Sequence, residues 1–568
     1  MSRSIPAIVI LGNGSLATAR LIQRSLPGAQ IYGLSTRVEG ADVVYQEFGA
    51  TLRELYTTNT PIIALCAAGI VIRTLAPLLL EKGVEPPVLA VAEDASAVVP
   101  LLGGLGGVNV LAREIAESLG IAPAITTSGE LRFGTCLLNP PSGYALGDLE
   151  LGKRFVSDLL GGEPVRIEGD APWLAQAQLA QDQQARLAIH VGSTEREPSA
   201  NELLIYPKSV LVLVSEEVAD LADAIRKRLH NANIAVQSLA CLLASEQQMA
   251  SQALRDAAVE LNVPLRFSRA GTVGEQLAEL PSPPLTVHGD AGITIAVAEH
   301  PLDPSRIGRA RGRLAVIGLG PGAADLMVPA VKLELTRAND VLGYETYVRM
   351  AGPFRADQVL HCTDNREEMQ RARHAFELAA QGRSVVVVSS GDPGVFAMAA
   401  AVLEALHESR DPAWHSVDLE ILPGVSASLA TAAQAGAPLG HDFCVLSLSD
   451  NLKPWEIIEK RLALTAQADL AMAFYNPISR SRPWQLGRAL EIVAQYRIAE
   501  TPVVLGRDIG RPGQTLRVTT LGQLTADQVD MRTMVLIGSS TTRVFPRAQG
   551  LSWVYTPRSY GDKLVEIK

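Results

Sequence analysis

Glycine turns hold most of the residues in this chain that could meet a ligand through bare backbone. Gly12-Asn13-Gly14-Ser15-Leu16-Ala17 and Gly318-Leu319-Gly320-Pro321-Gly322-Ala323 both fit the spacing G-x-G-x-x-A of a dinucleotide-phosphate cradle. Gly391-Asp392-Pro393-Gly394 follows four valines, Val385 to Val388, and precedes an alanine-rich run from Ala397 to Leu406. Between Pro100 and Asn109, four of five successive positions are glycine, which implies close backbone approach to a ligand or to a neighbouring element. A phosphate cradle is built from N–H groups, and Pro321 has none, which counts against a nucleotide phosphate at the second turn. The first turn lacks a ribose-binding acid, because strand Ile31 to Leu34 runs into Ser35-Thr36-Arg37. It fits a carboxylate-bearing ligand at a helix N-terminus equally well. An NADP-dependent reductase is thus a competing enzyme class, disfavoured on both counts.

The elements that must position these turns read as strand, turn and helix, the unit of a parallel sheet. Val385 to Val388 is a strand buried on both faces, and Ala7 to Leu11, Ile62 to Cys66, Val88 to Val91 and Leu314 to Ile317 are similar. Hydrophobic residues at 47% and charged ones at 19% describe a globular α/β chain. A net charge of −10 argues against a nucleic-acid-binding surface. The five cysteines (Cys66, Cys136, Cys241, Cys362, Cys444) form no close pair, which is cytoplasmic usage and offers no metal site. The apolar run at the start is too short for a signal peptide, and no window reads as a membrane span.

Pattern breaks divide the 568 residues into several units. The expectation is an α/β domain over 1–138, an intermediate module over 139–206 and a small α/β domain over 207–300. A Pro-, Gly- and Arg-rich linker over 301–312 leads to a two-lobed unit over 313–568, with lobes of about 313–436 and 437–568. Within the intermediate module, the run AQAQLAQDQQAR reads as an exposed helix or loop. The arginines of the linker read as a solvated tether. Two late segments, Leu516 to Thr519 and Thr533 to Ile537, read as antiparallel strands.

Four motifs of the last unit resemble, in order and spacing, the tetrapyrrole (corrin/porphyrin) methyltransferases. They are Gly318-Leu-Gly-Pro-Gly322, Ser390-Gly-Asp-Pro-Gly394, Leu422-Pro-Gly-Val-Ser-Ala427 and Phe474-Tyr-Asn-Pro477. Leu342-Gly-Tyr-Glu-Thr-Tyr-Val348 and the segment from Arg366 are most similar to the branch that methylates C17 of precorrin-3B and contracts the ring in cobalamin biosynthesis. The resemblance implies S-adenosylmethionine, which has no phosphate, held between two lobes. Its contacts would be Gly320, Pro321, Gly391, Asp392, Pro393, Val395, Phe396, Ser426 and Ala427, with Tyr475, Asn476, Asp508 and Thr541 from the second lobe; Asp392 is better read as a former of the loop than as an acid. Tyr344, Tyr347, His361 and Asp364 are candidates for the proton transfers of ring contraction. Arg366, Arg507 and Arg511 are candidates for the substrate's carboxylates. The resemblance also implies a homodimer through this unit and other enzymes of the same pathway as partners.

The first 300 residues resemble the cobalamin-biosynthesis family that opens the lactone of cobalt-precorrin-5A. Ala67-Ala-Gly-Ile-Val-Ile-Arg73, the glycine-rich stretch ending at Asn109, and Gly292-Ile-Thr-Ile-Ala-Val-Ala298 carry the likeness. Where that family has a histidine in the glycine-rich stretch, this chain has Leu105. Lactone hydrolysis needs an activated water and a stabilised oxyanion, for which Glu93, Asp94 and Asn109 remain. The half reads as such a hydrolase or as a non-catalytic substrate-binding module.

Overall fold

The computed structural model describes residues 5–26, 28–79, 85–290, 292–355, 357–364, 367–548 and 552–559. The chain forms two compact units, Met1–Arg311 with Pro353–Gln358, and Gly312–Gly352 with Val359–Lys568. Both are α/β.

Three sheets make up the first unit. In the first, the strands lie in the order Val43–Tyr45, Gln30–Leu34, Ala7–Ile10, Ile62–Leu65, Val88–Val91, Val98–Leu102. All pair in parallel except the last, which turns back on Val88–Val91. Helices Leu16–Ser25 and Val108–Leu119 cover one face, burying Ala19, Ile22, Ala112 and Ile115. Phe48–Thr57 and Ala68–Leu75 cover the other. Both faces are dry, which is why its central strands are unbroken apolar runs.

The intermediate module is a sheet in its own right, ordered Tyr144–Leu146, Glu202–Pro207, Leu187–Val191, Val165–Glu168. Phe133 and Leu137 sit in its core, so the end of the expected first domain packs here instead. Of the Gln/Ala-rich stretch only its first residue, Ala175, is helical, as the end of Pro172–Ala175, and the glutamines after it lie in a loop. The third sheet runs Leu265–Ser268, Leu239–Ser245, Val210–Val214, Ile293–Val297, Thr286–Asp290. The expected linker does not float free of it. Ile307 is fully buried, Arg309 bridges Phe267 and donates to Glu246, and Arg266 donates to the Ile307 and Gly308 carbonyls. Arg313 is the first residue of the second unit's strand Arg313–Gly318 and pairs with Glu334, Asp418 and Glu420. Arg309 and Arg313 are thus ion-paired within the fold, while Arg306 is largely exposed.

The second unit has a parallel sheet ordered Val359–Thr363, Asp340–Tyr344, Ser384–Ser389, Arg313–Gly318, Asp418–Leu422. Its second sheet is mixed, ordered Phe443–Ser447, Ala471–Tyr475, Thr533–Ile537, Pro502–Arg507, Thr515–Thr520. The two late strands do not pair with each other; each lies antiparallel against Pro502–Arg507, which runs between them. A short three-stranded ribbon of Gly436–Ala437, Ser552–Tyr555 and Arg543–Pro546 completes the unit. Among the described residues, no helix is long and apolar enough to cross a membrane.

Candidate active site

Three adjacent strands of the parallel sheet, Ser384–Ser389, Arg313–Gly318 and Asp418–Leu422, end on the same edge, where ligands of such sheets gather. The turns that follow interlock through glycine. A Cβ at Gly318 would run into the Gly391 carbonyl and lie 2.9 Å from Gly424 Cα. One at Gly424 would run into the same carbonyl and lie 2.7 Å from Gly318 O. Gly320 and Gly391 exchange two backbone hydrogen bonds, of 3.2 and 2.8 Å. Pro393 packs its ring against Gly318, so its stiffness serves the knot. The Asp392 carboxylate accepts from the N–H of Gly394 at 2.8 Å and of Gly424 at 3.1 Å. Its oxygens hold two turns together, which is work for a loop-forming acid.

Helix Ala427–Ala435 begins beside this knot. Ser426 accepts from Leu429 N, and Tyr475 Oη of the second lobe accepts from Ser428 N at 3.1 Å. The first N–H of a helix, here that of Ala427, has no intrahelical acceptor. Tyr475 also packs its ring 5.4 Å from Phe396, over which Lys453 Nζ stands at 5.7 Å. Phe396 has a φ of 54° and is 51% exposed. Holding a non-glycine residue in that conformation costs about 1–3 kcal/mol. Asn476 (φ 51°) and Asp508 (φ 52°) share this backbone and follow two strands of the second lobe that flank Thr533–Ile537. Asn476 donates to Ser447 Oγ at 3.0 Å, tying two strand ends together.

The turn after Pro502–Arg507 reaches the first lobe. Arg511 donates through Nε to the Pro321 carbonyl at 2.8 Å and through Nη2 to Ser390 Oγ at 3.2 Å. Gly510 lies against the Pro321 ring, and Gly322 leaves room for the Arg511 stem. No carboxylate among the described residues pairs with Arg511. Tyr344 and Tyr347 stand edge to face at 5.4 Å at the end of Asp340–Tyr344 and the start of the helix after it. Burial, with help from Tyr344, pushes the Tyr347 phenol above its ordinary value against the pull of nearby Arg511. Tyr347 is therefore a neutral donor at physiological pH.

Other sequence candidates fall elsewhere. His361 lies mid-strand opposite Leu342 and is bound through Nε2 at 2.9 Å to buried Asp340, which stands at the other end of its strand from Tyr344. Burial opposes ionisation of Asp340, but Arg383 and His361 together hold its carboxyl below the usual range. His361 thus compensates a buried charge and leaves the acid–base set. Thr541 follows Ile537, which pairs with Val503 and Met472 near the strand starts, so it lies at the far end of the sheet from Tyr475 and Asp508. Asp508 accepts from Arg507 and Arg532 through both oxygens and orders the turn without offering a free contact. Arg507 is held by Asp530 as well as Asp508. Asp364 stands at the end of the sheet's outer strand, its N–H donating to Glu367. Arg366 lies outside the described residues. Ser390, first residue of one motif, joins the site with Ser428, Lys453 and Arg482, which donates to the Asn476 carbonyl; these last three lie outside the motifs.

In the first unit, Glu93 and Asp94 follow the last residue of Val88–Val91, while Leu102, which precedes the glycine-rich turn, pairs with its first. Asn109 is thus a strand length away, roughly 13 Å at ~3.3 Å per residue. The three do not form one site. Two of the four glycines pack on backbone: a Cβ at Gly103 would meet Pro86 and Pro87, and one at Gly106 the Glu85 carbonyl, while Gly104 faces open space. Asn109 is buried and donates to Glu130, itself buried and paired with Arg113.

Comparison with known proteins agrees with this geometry. Residues 313–525 match the family model described as Tetrapyrrole (Corrin/Porphyrin) Methylases, and residues 50–130 match Cobalamin synthesis G N-terminal. The chain is 51% identical over 250 residues to a precorrin-3B C(17)-methyltransferase of Sinorhizobium sp, covering 44% of this chain and 97% of the relative. It is 40% identical over 247 residues to a probable cobalt-factor III C(17)-methyltransferase of Salmonella typhimurium, covering 44% and 99%. A solved structure, the methyltransferase CobJ, is 52% identical, covers 43% of this chain and all of its own, and has a TM-score of 0.41. With its second unit carrying the motif turns and the matching residues, the chain belongs to the tetrapyrrole (corrin/porphyrin) methylases.

Proposed function

We propose that the second unit transfers a methyl group from S-adenosylmethionine to C17 of precorrin-3B, or of its cobalt form, with contraction of the macrocycle. The observation that carries this is the glycine knot of Gly318, Gly391 and Gly424 faced by Arg511. The knot suits a donor without phosphates: Pro321 offers no N–H, its carbonyl is taken by Arg511, and Asp392 is spent on the loop. Gly320, Gly391, Ser426 and Ala427 would hold the donor from the first lobe, and Tyr475 and Asn476 from the second. When bound, it supplies an electrophilic methyl on a sulfonium. Positioning is most of the catalysis in such an in-line displacement. Phe396 and Tyr475 wall the donor side. Arg511 offers its remaining guanidinium N–H groups to a carboxylate of the substrate. Tyr347 donates a hydrogen bond where charge develops during ring contraction.

We extend the proposal to the first unit, which we read as opening a lactone of a corrin intermediate, supported by its match over residues 50–130. Two steps on one chain would spare a carboxylate-laden intermediate a passage through solution. A cytoplasmic homodimer working beside other enzymes of the pathway fits the same reading, and light scattering on the purified chain reports its mass. Calorimetry of the full chain with S-adenosylhomocysteine should give one site per chain. Binding of NADPH in its place would overturn the reading.

A further inference from the structure

The outer strand of the second unit's parallel sheet, Val359–Thr363, is weakly packed, with Val359, Leu360 and Cys362 all exposed. From the middle of this strand His361 faces His374 of the helix Glu368–Ala380. The two rings stand edge to face at 72°, with centroids 5.0 Å apart. His361 Nδ1 and His374 Nε2 are 3.4 Å from each other. The other nitrogen of each ring meets a carboxylate. Asp340 lies 2.9 Å from His361 Nε2, and Glu377 lies 3.3 Å from His374 Nδ1. Arg383 donates to the second Asp340 oxygen, which keeps that carboxylate an acceptor.

An ionised carboxylate has no proton to give, so each ring donates from the nitrogen beside it. With both rings neutral, the two facing nitrogens are then both acceptors, and two acceptors repel unless a cation lies between them. A proton is one such cation and a metal ion is another. Geometry separates the two. A shared proton needs a short and nearly straight N–H···N line. The observed 3.4 Å is long for that, and a head-on approach at this distance would hold the centroids farther apart than 5.0 Å. Two nitrogens each ~2.05 Å from a tetrahedral ion stand about 3.4 Å apart, which is the separation seen. A carboxylate behind each imidazole is also the support that metal-bound histidines have, where it fixes the tautomer and the ring direction. The His361 and His374 side chains are 23% and 42% exposed, so the pair borders solvent.

We propose that His361 and His374 bind a divalent transition-metal ion of the zinc type, held between Nδ1 of the first and Nε2 of the second. Among the described residues no set of three or more ligating side chains forms, so water takes the remaining positions. The ion staples the sheet's outer strand to the helix beside it. Asp340, which orients His361, stands at the other end of its strand from Tyr344, so this role is separate from methyl transfer.

The test is calorimetry of the full chain, freed of metal with a chelator, against zinc chloride. The wild type should take up one ion per chain at this pair, and His374→Ala should lose it. Glu377→Ala leaves both rings in place and should weaken binding about tenfold, the lower end for a carboxylate behind a ligand; a carboxylate serving only the helix surface would leave it unchanged. Zinc should raise the melting temperature of the wild type and not that of His374→Ala. Unchanged S-adenosylhomocysteine affinity checks that each variant is folded. Where His374→Ala fails that check, Glu377→Ala carries the test, and wild-type zinc affinity in it overturns the proposal. A wild type that binds no zinc holds a shared proton only, and zinc taken up equally by wild type and His374→Ala sits elsewhere on the chain; either result overturns the proposal.

Discussion

Arg511 makes the residue-scale claim of the second unit testable. Its Nε and Nη2 are fixed by Pro321 and Ser390, which sets the direction of what remains of the fork. A charge-assisted hydrogen bond to a substrate carboxylate is worth about 1.5–3 kcal/mol. Arg511→Gln should therefore raise KM for the tetrapyrrole by roughly tenfold or more, and Arg511→Lys should recover part of it through charge alone. Steady-state kinetics at saturating S-adenosylmethionine decide this; an unchanged KM would remove Arg511 from the substrate site. His361 shows what residue types cannot tell. A histidine on a strand beside an aspartate reads as acid–base chemistry, yet its ring is spent on buried Asp340, and only the direction of the side chain separates the two roles.

Among the elements, the interlocked turns are the sharpest feature. A Cβ at Gly424 would meet backbone on two sides, which has no side-chain end to give way. Gly424→Ala should cost about 1–3 kcal/mol of stability, the range for overpacking, and should abolish S-adenosylhomocysteine binding. Thr541→Val, at the far end of the second lobe's sheet, should leave that affinity unchanged. Melting curves and calorimetry on the two variants read both outcomes. The glycine turns and their flanking strands were legible because a strand buried on both faces needs an apolar run and a sharp turn needs glycine. Leu314 to Ile317 and Val385 to Val388 show both. The intermediate sheet was obscure for the converse reason: Tyr144–Leu146 and most of Val165–Glu168 are only partly buried, so their sequences alternate weakly. The antiparallel return of Val98–Leu102 also escaped notice, and with it the separation of Asn109 from Glu93 and Asp94. Neighbours in sequence were set at opposite ends of one strand.

At the scale of the whole molecule, two compact units matched by different families share one chain. The matched relatives cover its second unit almost alone, which is why the methyl-transfer half reads clearly from four ordered motifs. The first unit has a family match over residues 50–130. The central claim rests on the methyl group. The full chain, incubated with S-adenosylmethionine and either precorrin-3B or its cobalt form, should yield a product heavier by one methyl and an equal amount of S-adenosylhomocysteine. A tetrapyrrole recovered at its original mass from both incubations, by a protein that binds the cofactor, would contradict the account.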